Sequence, residues 1–227
     1  MTLADKAYEA IRRDIVTGSL TPGQPLRMAM LSKRYEMGMS PLREALNRLQ
    51  SERLVDAVSL KGFTVAALSV QELADTTKAR MLIECEALRL SIRKGDDAWE
   101  TGIVAALHAL SLQSMRAEKG DAADVELLEK RHHAFHRALI SASGSRWLMS
   151  FFEKLYAEAE RYRYHSLTAR RSRARRDIDA EHSAIAEATI ARDADKACEL
   201  LSDHYRRTQD FVIAHFAEAA DPIAKRA

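Results

Sequence analysis

The sequence predicts a mainly α-helical protein with two parts, an N-terminal winged helix-turn-helix and a C-terminal antiparallel all-α helical bundle. Three observations support this fold class. The first seventy residues contain three helical patterns followed by two short strand-like segments. Every segment after residue 69 has helical periodicity. Within that second part, His132 and His136 interrupt an apolar helix stripe one turn apart, so both imidazoles are expected to point into the bundle.

The composition is that of a soluble globular protein, with 47% hydrophobic and 30% charged residues among 227. No apolar run is long enough to cross a bilayer and no signal-peptide pattern is present, so we expect a cytoplasmic protein without membrane contact. Cys85 and Cys198 fit no metal or redox spacing, which indicates small apolar residues in a reducing compartment. The net charge is +3 over residues 1–70 and −1 over residues 71–227, which mildly favours nucleic-acid binding by the first part.

The first part is predicted from its helix, turn and strand signals. Apolar residues recur at helical spacing, glycines and prolines separate the segments, and two short β-type runs follow. The predicted elements are a helix through Ala7, Ile11 and Ile15 that Gly18 ends, a helix at 28–35, a third helix capped by Ser40 with Pro41 at its first position, and a hairpin of strands 54–58 and 63–67.

The third helix is the predicted recognition helix, with its first turn in the major groove of DNA. Arg43 would reach a guanine edge or a phosphate. Lys61 and Gly62, at the tip of the wing, would approach the backbone or the minor groove. Taken alone, Arg43 fits a solvated helix charge equally well, so this residue by itself does not decide between the two interpretations.

The second part begins at a capping box, in which Ser69 is the cap and Glu72 follows three residues later. We therefore predict a domain boundary here, with a DNA-binding domain at 1–68 and a helical domain at 69–227. A basic run, Arg170 to Arg176, is interpreted as a solvated loop or helix end in preference to a phosphate or DNA contact. The predicted helices are 70–93, 98–117, 122–142, 146–167, 177–191 and 194–217.

An arginine and four histidines interrupt the apolar stripes of this bundle. A buried arginine needs an anionic partner. Any one of the histidines, taken alone, fits a satisfied core residue better than a metal ligand. Four histidines from three helices that face one interior favour a divalent metal site, with Zn²⁺ expected and Ni²⁺ or Co²⁺ as alternatives. The residues are Arg80, His132, His136, His182 and His204.

Several short sequence motifs of the first part, taken together, resemble those of the GntR family of bacterial transcription regulators. They are Gly18-Ser19-Leu20-Thr21-Pro22-Gly23, Pro41-Leu42-Arg43-Glu44-Ala45-Leu46 and Gly62-Phe63-Thr64-Val65. Met39 stands where the family often has a DNA-contacting arginine, which implies an operator unlike the common one. The DNA-contacting residues that the resemblance and the helix phase imply are Met39, Ser40, Arg43, Asn47, Lys61 and Gly62.

The second part resembles the FCD effector domain of the FadR subfamily of GntR regulators. That domain is a helical bundle that often holds a metal through one aspartate and three histidines, with a small carboxylate beside it. His136, His182 and His204 match the three histidines, and His132 occupies the place of the aspartate. Arg80 matches an arginine of the first helix and would bind the carboxylate. Tyr162 and Arg163 are the expected further effector contacts.

The resemblance implies a repressor that binds double-stranded operator DNA as a homodimer and responds to a small carboxylate. The stretch 147–164 is similar to repressors of dicarboxylate and glutarate breakdown, which implies a C4–C6 dicarboxylate such as glutarate. The alternative from another class is a metal-dependent hydrolytic enzyme, in which the histidine cluster activates water and Glu84 acts as base. The winged-helix segment argues against the enzyme.

Overall fold

The computed structural model describes residues 1–58, 62–117, 122–168 and 176–220, and at 122–123, 165–168 and 215–220 it describes the backbone alone. The described residues form the two parts that the sequence predicts. The mainly α fold class, with a winged helix-turn-helix followed by a helical bundle, is confirmed.

The N-terminal part combines three helices with a small antiparallel sheet. Strand order in the sheet is β1-β3-β2, with Val55 paired to Val65 and Val58 to Gly62 in the wing hairpin. The side chains predicted to be buried in α1 and α3 form one core with residues of the sheet. The elements are α1 (Leu3–Val16), β1 (Pro25–Leu26), α2 (Met28–Tyr35), α3 (Met39–Ser51), β2 (Val55–Val58) and β3 (Gly62–Val65).

Two local details differ from the sequence-based prediction. Helix α3 begins at Met39 with Gly38 as its N-cap, so Ser40 and Pro41 lie within the first turn and the predicted cap at Ser40 is wrong. Proline is tolerated there because first-turn amides have no partner inside the helix. The two-residue strand β1 was not predicted, because Pro25 and Leu26 are too few to show an alternation.

The C-terminal part is a helical bundle whose helix ends agree with the prediction to within three residues. Ser69 caps its first helix by accepting a hydrogen bond from the Glu72 amide, as the capping box predicts. None of the helices in the described ranges is both long and apolar enough to span a membrane. The helices are α4 (Val70–Lys94), α5 (Asp97–Ala117), α6 (Ala122–Ile140), α7 (Arg146–Thr168), α8 (Ile178–Ile190) and α9 (Ala194–Ala220), with a short 3₁₀ turn at Ser141–Ser143.

Helix α7 connects the two parts. Glu160 forms an ion pair with Arg12 of α1. The buried Arg161 donates hydrogen bonds to the carbonyl oxygens of Arg53 and Ala66, at 3.3 and 2.5 Å, on either side of the wing hairpin. Consecutive residues of one bundle helix therefore hold the DNA-binding part at its first helix and at the base of its wing. The predicted domain boundary at residue 68 lies in the segment between β3 and α4 and stays a prediction.

Candidate metal and carboxylate site

Four histidine side chains meet in the interior of the bundle. His132 and His136 lie on α6, His182 on α8 and His204 on α9. One nitrogen atom from each ring lies within 4.8 Å of those of the other three. All four pKa values are lowered, because burial penalises the imidazolium form, and the pKa of His204 falls to about 4. The cluster is therefore a set of neutral imidazoles, the form of histidine that binds metals.

Two buried tyrosines orient the histidines of α6. Nδ1 of His132 lies 2.7 Å from the hydroxyl of Tyr156, and Nδ1 of His136 lies 3.0 Å from the hydroxyl of Tyr205. Tyr156 donates its own proton to Glu129 at 3.2 Å, and Tyr205 donates to Glu84. Because each hydroxyl has one hydrogen and donates it in a hydrogen bond to a carboxylate, each accepts a hydrogen bond from the Nδ1–H of its histidine.

The third oriented histidine is His204. Its Nδ1 donates to Oε2 of Glu181 at 2.8 Å. Arg176 holds that carboxylate through Nε and Nη2 at 2.8 and 2.5 Å, and its Nη2 also donates to the His204 carbonyl oxygen at 2.9 Å. Although burial opposes it, Arg176 and His204 keep the pKa of Glu181 well below its usual range. Such outer partners fix which nitrogen of a metal-binding histidine faces the metal.

These hydrogen bonds leave the Nε2 lone pairs facing the centre of the cluster. Nε2 of His132 and Nε2 of His136 are 3.2 Å apart. With both protons committed to Nδ1, no proton is left to lie between them. Two lone pairs at that distance repel each other unless a cation lies between them or one ring is protonated, and burial disfavours the protonated ring.

His182 gives the clearest test of whether the cluster fits a metal. It is 1% exposed, and among the described residues neither of its ring nitrogens has a hydrogen-bond partner. A buried polar atom without a partner is costly, and coordination to a metal would satisfy it. Nitrogen ligands about 2.0–2.1 Å from a zinc ion in tetrahedral geometry lie roughly 3.3 Å from each other. The spacing and the donor set of the cluster therefore fit a divalent ion such as Zn²⁺.

Arg80 lies next to this cluster and is itself incompletely paired. It is 4% exposed, its Nε donates to Glu84 at 2.8 Å, and its guanidinium stacks 4.0 Å from the centre of the Tyr205 ring. Its Nη2 is buried without a hydrogen-bond partner in the described part of the chain. A buried guanidinium nitrogen of this kind is suited to donate a hydrogen bond to an anionic ligand oxygen.

Of the other two predicted effector residues, the structure brings only Arg163 near the site. Arg163 pairs with Glu129 at 3.0 Å and lies 4.5 Å from the centre of the Tyr156 ring. Tyr162 points towards the domain junction, where it packs with Leu73 and Val212, and its hydroxyl accepts a hydrogen bond from the Ser69 amide at 3.3 Å. The prediction that Tyr162 faces the effector site is therefore wrong, because the phase of α7 turns residue 162 away from residues 156 and 163.

The predicted DNA-contacting residues of α3 all lie on the surface. Met39, Ser40, Arg43 and Asn47 are exposed, and no side chain caps the first turn of the helix. Arg43 has no ion pair among the described residues, so its charge is available to a ligand. Exposed first-turn amides are a common phosphate-binding arrangement.

On the wing, Gly62 is exposed and has φ +85°, a conformation that favours glycine. Lys61 lies outside the described residues.

Sequence patterns missed the residues that hold the histidines in place. Arg176, the last residue of the basic run, is a partly buried ion-pair partner of Glu181, so for this residue the solvated interpretation is wrong. Residues 170–175 lie outside the described ranges. Glu181 precedes His182 in the sequence, yet its carboxylate accepts the hydrogen bond of His204. Glu84, one turn after Arg80, was expected only as the base of the enzyme alternative. The other tyrosines and carboxylates of the set carry no spacing signal; they are Glu129, Tyr156 and Tyr205.

A cleft of about 600 Å³ lies between the two parts of the protein, next to the cluster. Tyr8 and Arg12 contribute from the DNA-binding side, and Glu129, Tyr156 and Glu160 from the bundle side. Tyr156 thus contacts His132 and also lines the cleft.

Comparisons with known proteins agree with this architecture. Residues 3–65 match the family described as bacterial regulatory proteins, gntR family, and residues 75–207 match the FCD domain. The chain belongs to the GntR family of transcription regulators. The HTH-type transcriptional repressor GlaR of Escherichia coli (strain K12) is 39% identical over 87% of this chain and 90% of its own length.

One further relative supports membership of the GntR family, and one solved structure shows the same fold. An uncharacterized HTH-type transcriptional regulator of Paraburkholderia xenovorans (strain LB400), BphR, is 37% identical over 89% of this chain and 82% of its own length. The solved structure of E. coli McbR/YncC has a TM-score of 0.77 at 20% identity and covers 95% of this chain and 99% of that chain, which shows the shared fold. This GntR-family chain is a transcription regulator with an FCD effector domain, and the alternative of a metal-dependent hydrolase is not supported.

Proposed function

We propose that this GntR-family regulator is a repressor that binds a two-fold symmetric operator as a homodimer and releases it when a small dicarboxylate binds beside a His-coordinated metal. The observation that carries the proposal is the neutral four-histidine cluster next to the incompletely paired Arg80. DNA contact is assigned to the exposed face of α3, to Gly62 and to Lys61.

Zn²⁺ is the proposed metal, with Ni²⁺ and Co²⁺ as alternatives. All four donors are imidazole nitrogens, which suit these borderline ions better than Mg²⁺ or Ca²⁺. A divalent ion held only by neutral ligands keeps its full positive charge, and it would accept a carboxylate oxygen by expanding from four ligands to five. His132 in place of the family's aspartate removes one negative charge, so an anionic effector would be attracted more strongly here than at the usual site.

The proposed effector is a C4–C6 dicarboxylate such as glutarate. One carboxylate would lie at the metal, and Arg80 would donate to an oxygen of the acid through its unpartnered Nη2. Arg163 lies 4.5 Å from the centre of the Tyr156 ring and contributes positive charge, although its guanidinium is already paired with Glu129. The second carboxylate of a dicarboxylate would interact favourably with these arginines, an interaction that a monocarboxylate cannot make.

Helix α7 is the proposed connection between the effector site and DNA. Tyr156 and Arg163 face the site, whereas Glu160 and Arg161 hold the DNA-binding part. A rotation or shift of α7 upon effector binding would therefore change the separation of the two recognition helices in a dimer. The effector can do this only if it binds the two arrangements with different affinities.

Thermal unfolding of the purified protein against a panel of acids tests this function. The panel contains succinate, glutarate, adipate and the monocarboxylate butyrate, each with and without prior chelation of metal. A ligand at a hundredfold excess over its Kd stabilises the native state by about 2.7 kcal/mol. We expect one dicarboxylate to raise the melting temperature only when metal is present, and to release the protein from DNA of its own promoter region.

The matched control is Arg80→Lys, which keeps the charge and removes the planar fork. We expect this variant to bind metal normally and to lose most of the response to the dicarboxylate. If chelation leaves the melting temperature unchanged and no acid shifts it, the four histidines are core residues and the sensor assignment is wrong.

A further inference from the structure

Two cysteines that are 113 positions apart in the sequence meet where α4 packs against α9. Sγ of Cys85 lies 3.6 Å from the carbonyl oxygen of Cys198, and Sγ of Cys198 lies 3.5 Å from the carbonyl oxygen of Cys85. This reciprocal arrangement requires the two backbones to approach closely at the crossing. Both cysteines are free thiols, and neither takes part in the metal and carboxylate site.

The two thiols differ in exposure and in pKa, as expected for a pair in which one cysteine reacts with an oxidant and the other then forms the disulfide. Cys85 is half-buried, so a small oxidant can reach it, whereas Cys198 is buried. Contact with the Cys198 thiol and a 3.5 Å contact with Ser202 lower the pKa of Cys85 to about 7, although burial opposes this. Contact with Cys85 and burial raise the pKa of Cys198. Cys85 is therefore the thiol that carries thiolate near neutral pH.

We propose that Cys85 and Cys198 are a redox modification site that hydrogen peroxide converts into a reversible intramolecular disulfide. Cys85 first loses its proton to solvent, and its thiolate then attacks one peroxide oxygen. The O–O bond breaks, Cys85 becomes a sulfenic acid, and the departing hydroxide takes up a proton to leave as water. The Cys198 thiol then attacks the Cys85 sulfur, the S–O bond breaks, and the departing hydroxide takes up the thiol proton to leave as a second water. The two thiols lose two electrons and peroxide gains them, so the reaction balances.

The disulfide would fasten the two helices that bear the site. Cys85 follows Glu84, whose carboxylate accepts the hydrogen bond of Tyr205 on α9. A bond between residues so far apart in sequence closes a long loop and stabilises the native state by restricting the unfolded chain. In a reducing compartment such bonds are usually transient and redox-sensing rather than permanent.

The test uses purified full-length protein with its metal and stoichiometric hydrogen peroxide. We expect thiol titration under denaturing conditions to fall from two to zero per chain. The intact mass should fall by the mass of two hydrogen atoms, with the cross-linked peptides coming from one monomer. Dithiothreitol should restore both thiols. We also expect the oxidised protein to melt several degrees above the reduced protein.

Two serine variants separate the roles of the cysteines. Cys198→Ser should stop at a Cys85 sulfenic acid that dimedone traps, and Cys85→Ser should keep its remaining thiol under the same treatment. Three results with wild-type protein overturn the proposal. They are two thiols that persist after peroxide, a disulfide that forms only between chains, and sulfenic acid that accumulates at Cys85 beside a free Cys198. Disulfide formation without a change in melting temperature would contradict the claim that the bond between α4 and α9 stabilises the native state. The mass measurement on wild-type protein does not depend on the folding of either variant.

Discussion

The side chains around each histidine, rather than the histidines alone, decide what the cluster can bind. Tyr156 and Tyr205 each donate a hydrogen bond to a carboxylate and accept one from an imidazole. This fixes Nδ1 as the protonated nitrogen of His132 and His136 and leaves Nε2 for a metal. His182 has no such partner among the described residues, so the proposed metal would be the partner that satisfies it.

Replacement of His182 should therefore reduce metal content without reducing DNA contact. We expect His182→Ala to hold at least tenfold less metal than wild type, measured by mass spectrometry of the purified protein, because one of four donors is lost. His133→Ala is the matched control, since His133 points outward to Glu153 at 2.6 Å. Equal metal content in the two variants would remove His182 from the site.

At the DNA surface, Arg43 is the residue with the clearest prediction. Its guanidinium is exposed and has no ion pair in the described part of the chain. We expect Arg43→Ala to weaken operator binding by roughly 10- to 100-fold, because a lost base or phosphate contact costs about 1–3 kcal/mol, and to leave the melting temperature unchanged. Fluorescence anisotropy with promoter DNA measures the binding. Arg93→Ala, an exposed arginine of α4, serves as control and should bind DNA normally.

At the scale of elements, α7 makes two sets of contacts, one with the candidate site and one with the domain junction, and its sequence indicates them only in part. Periodicity predicted its length closely, because helix ends follow local signals such as the turn at Gly144. It did not predict that Tyr162 contacts the Ser69 amide while Arg163 contacts Glu129, because neighbouring residues on a helix point about 100° apart. An error of one residue in the predicted helical phase therefore confuses a residue that faces the candidate site with one that faces the domain junction.

Arg161 is predicted to couple the two parts of the protein. Arg161→Lys keeps a positive charge beside Glu158 but loses the fork that spans the carbonyl oxygens of Arg53 and Ala66. We expect the variant to bind metal and dicarboxylate with wild-type affinity, while the effector weakens its operator binding several-fold less than in wild type. Calorimetry measures the first property and anisotropy with and without effector the second. A wild-type ratio of operator affinities would show that Arg161 is only structural.

The whole molecule shows why local patterns predicted the fold better than the site. The helices, the wing and the four-histidine set all have short-range signals, namely helical spacing, capping boxes and the i, i+4 pair of His132 and His136. The contact of Cys85 with Cys198, and that of Arg176 with His204, joins residues distant in sequence. Only the packing of the helices determines such pairs, and a single sequence carries no spacing rule for them.

The last prediction concerns the coupling between the two ends of the molecule. If one two-state equilibrium connects the effector site to the operator, the factor by which the dicarboxylate weakens operator binding must equal the factor by which operator DNA weakens dicarboxylate binding. Typical couplings of 1–3 kcal/mol correspond to about 5- to 150-fold. Calorimetric titration with glutarate, without and with saturating promoter DNA, measures one factor, and anisotropy measures the other. Unequal factors would mean that the acid acts at more than one site, whereas equal factors that both shrink in Arg161→Lys would assign the connection to α7.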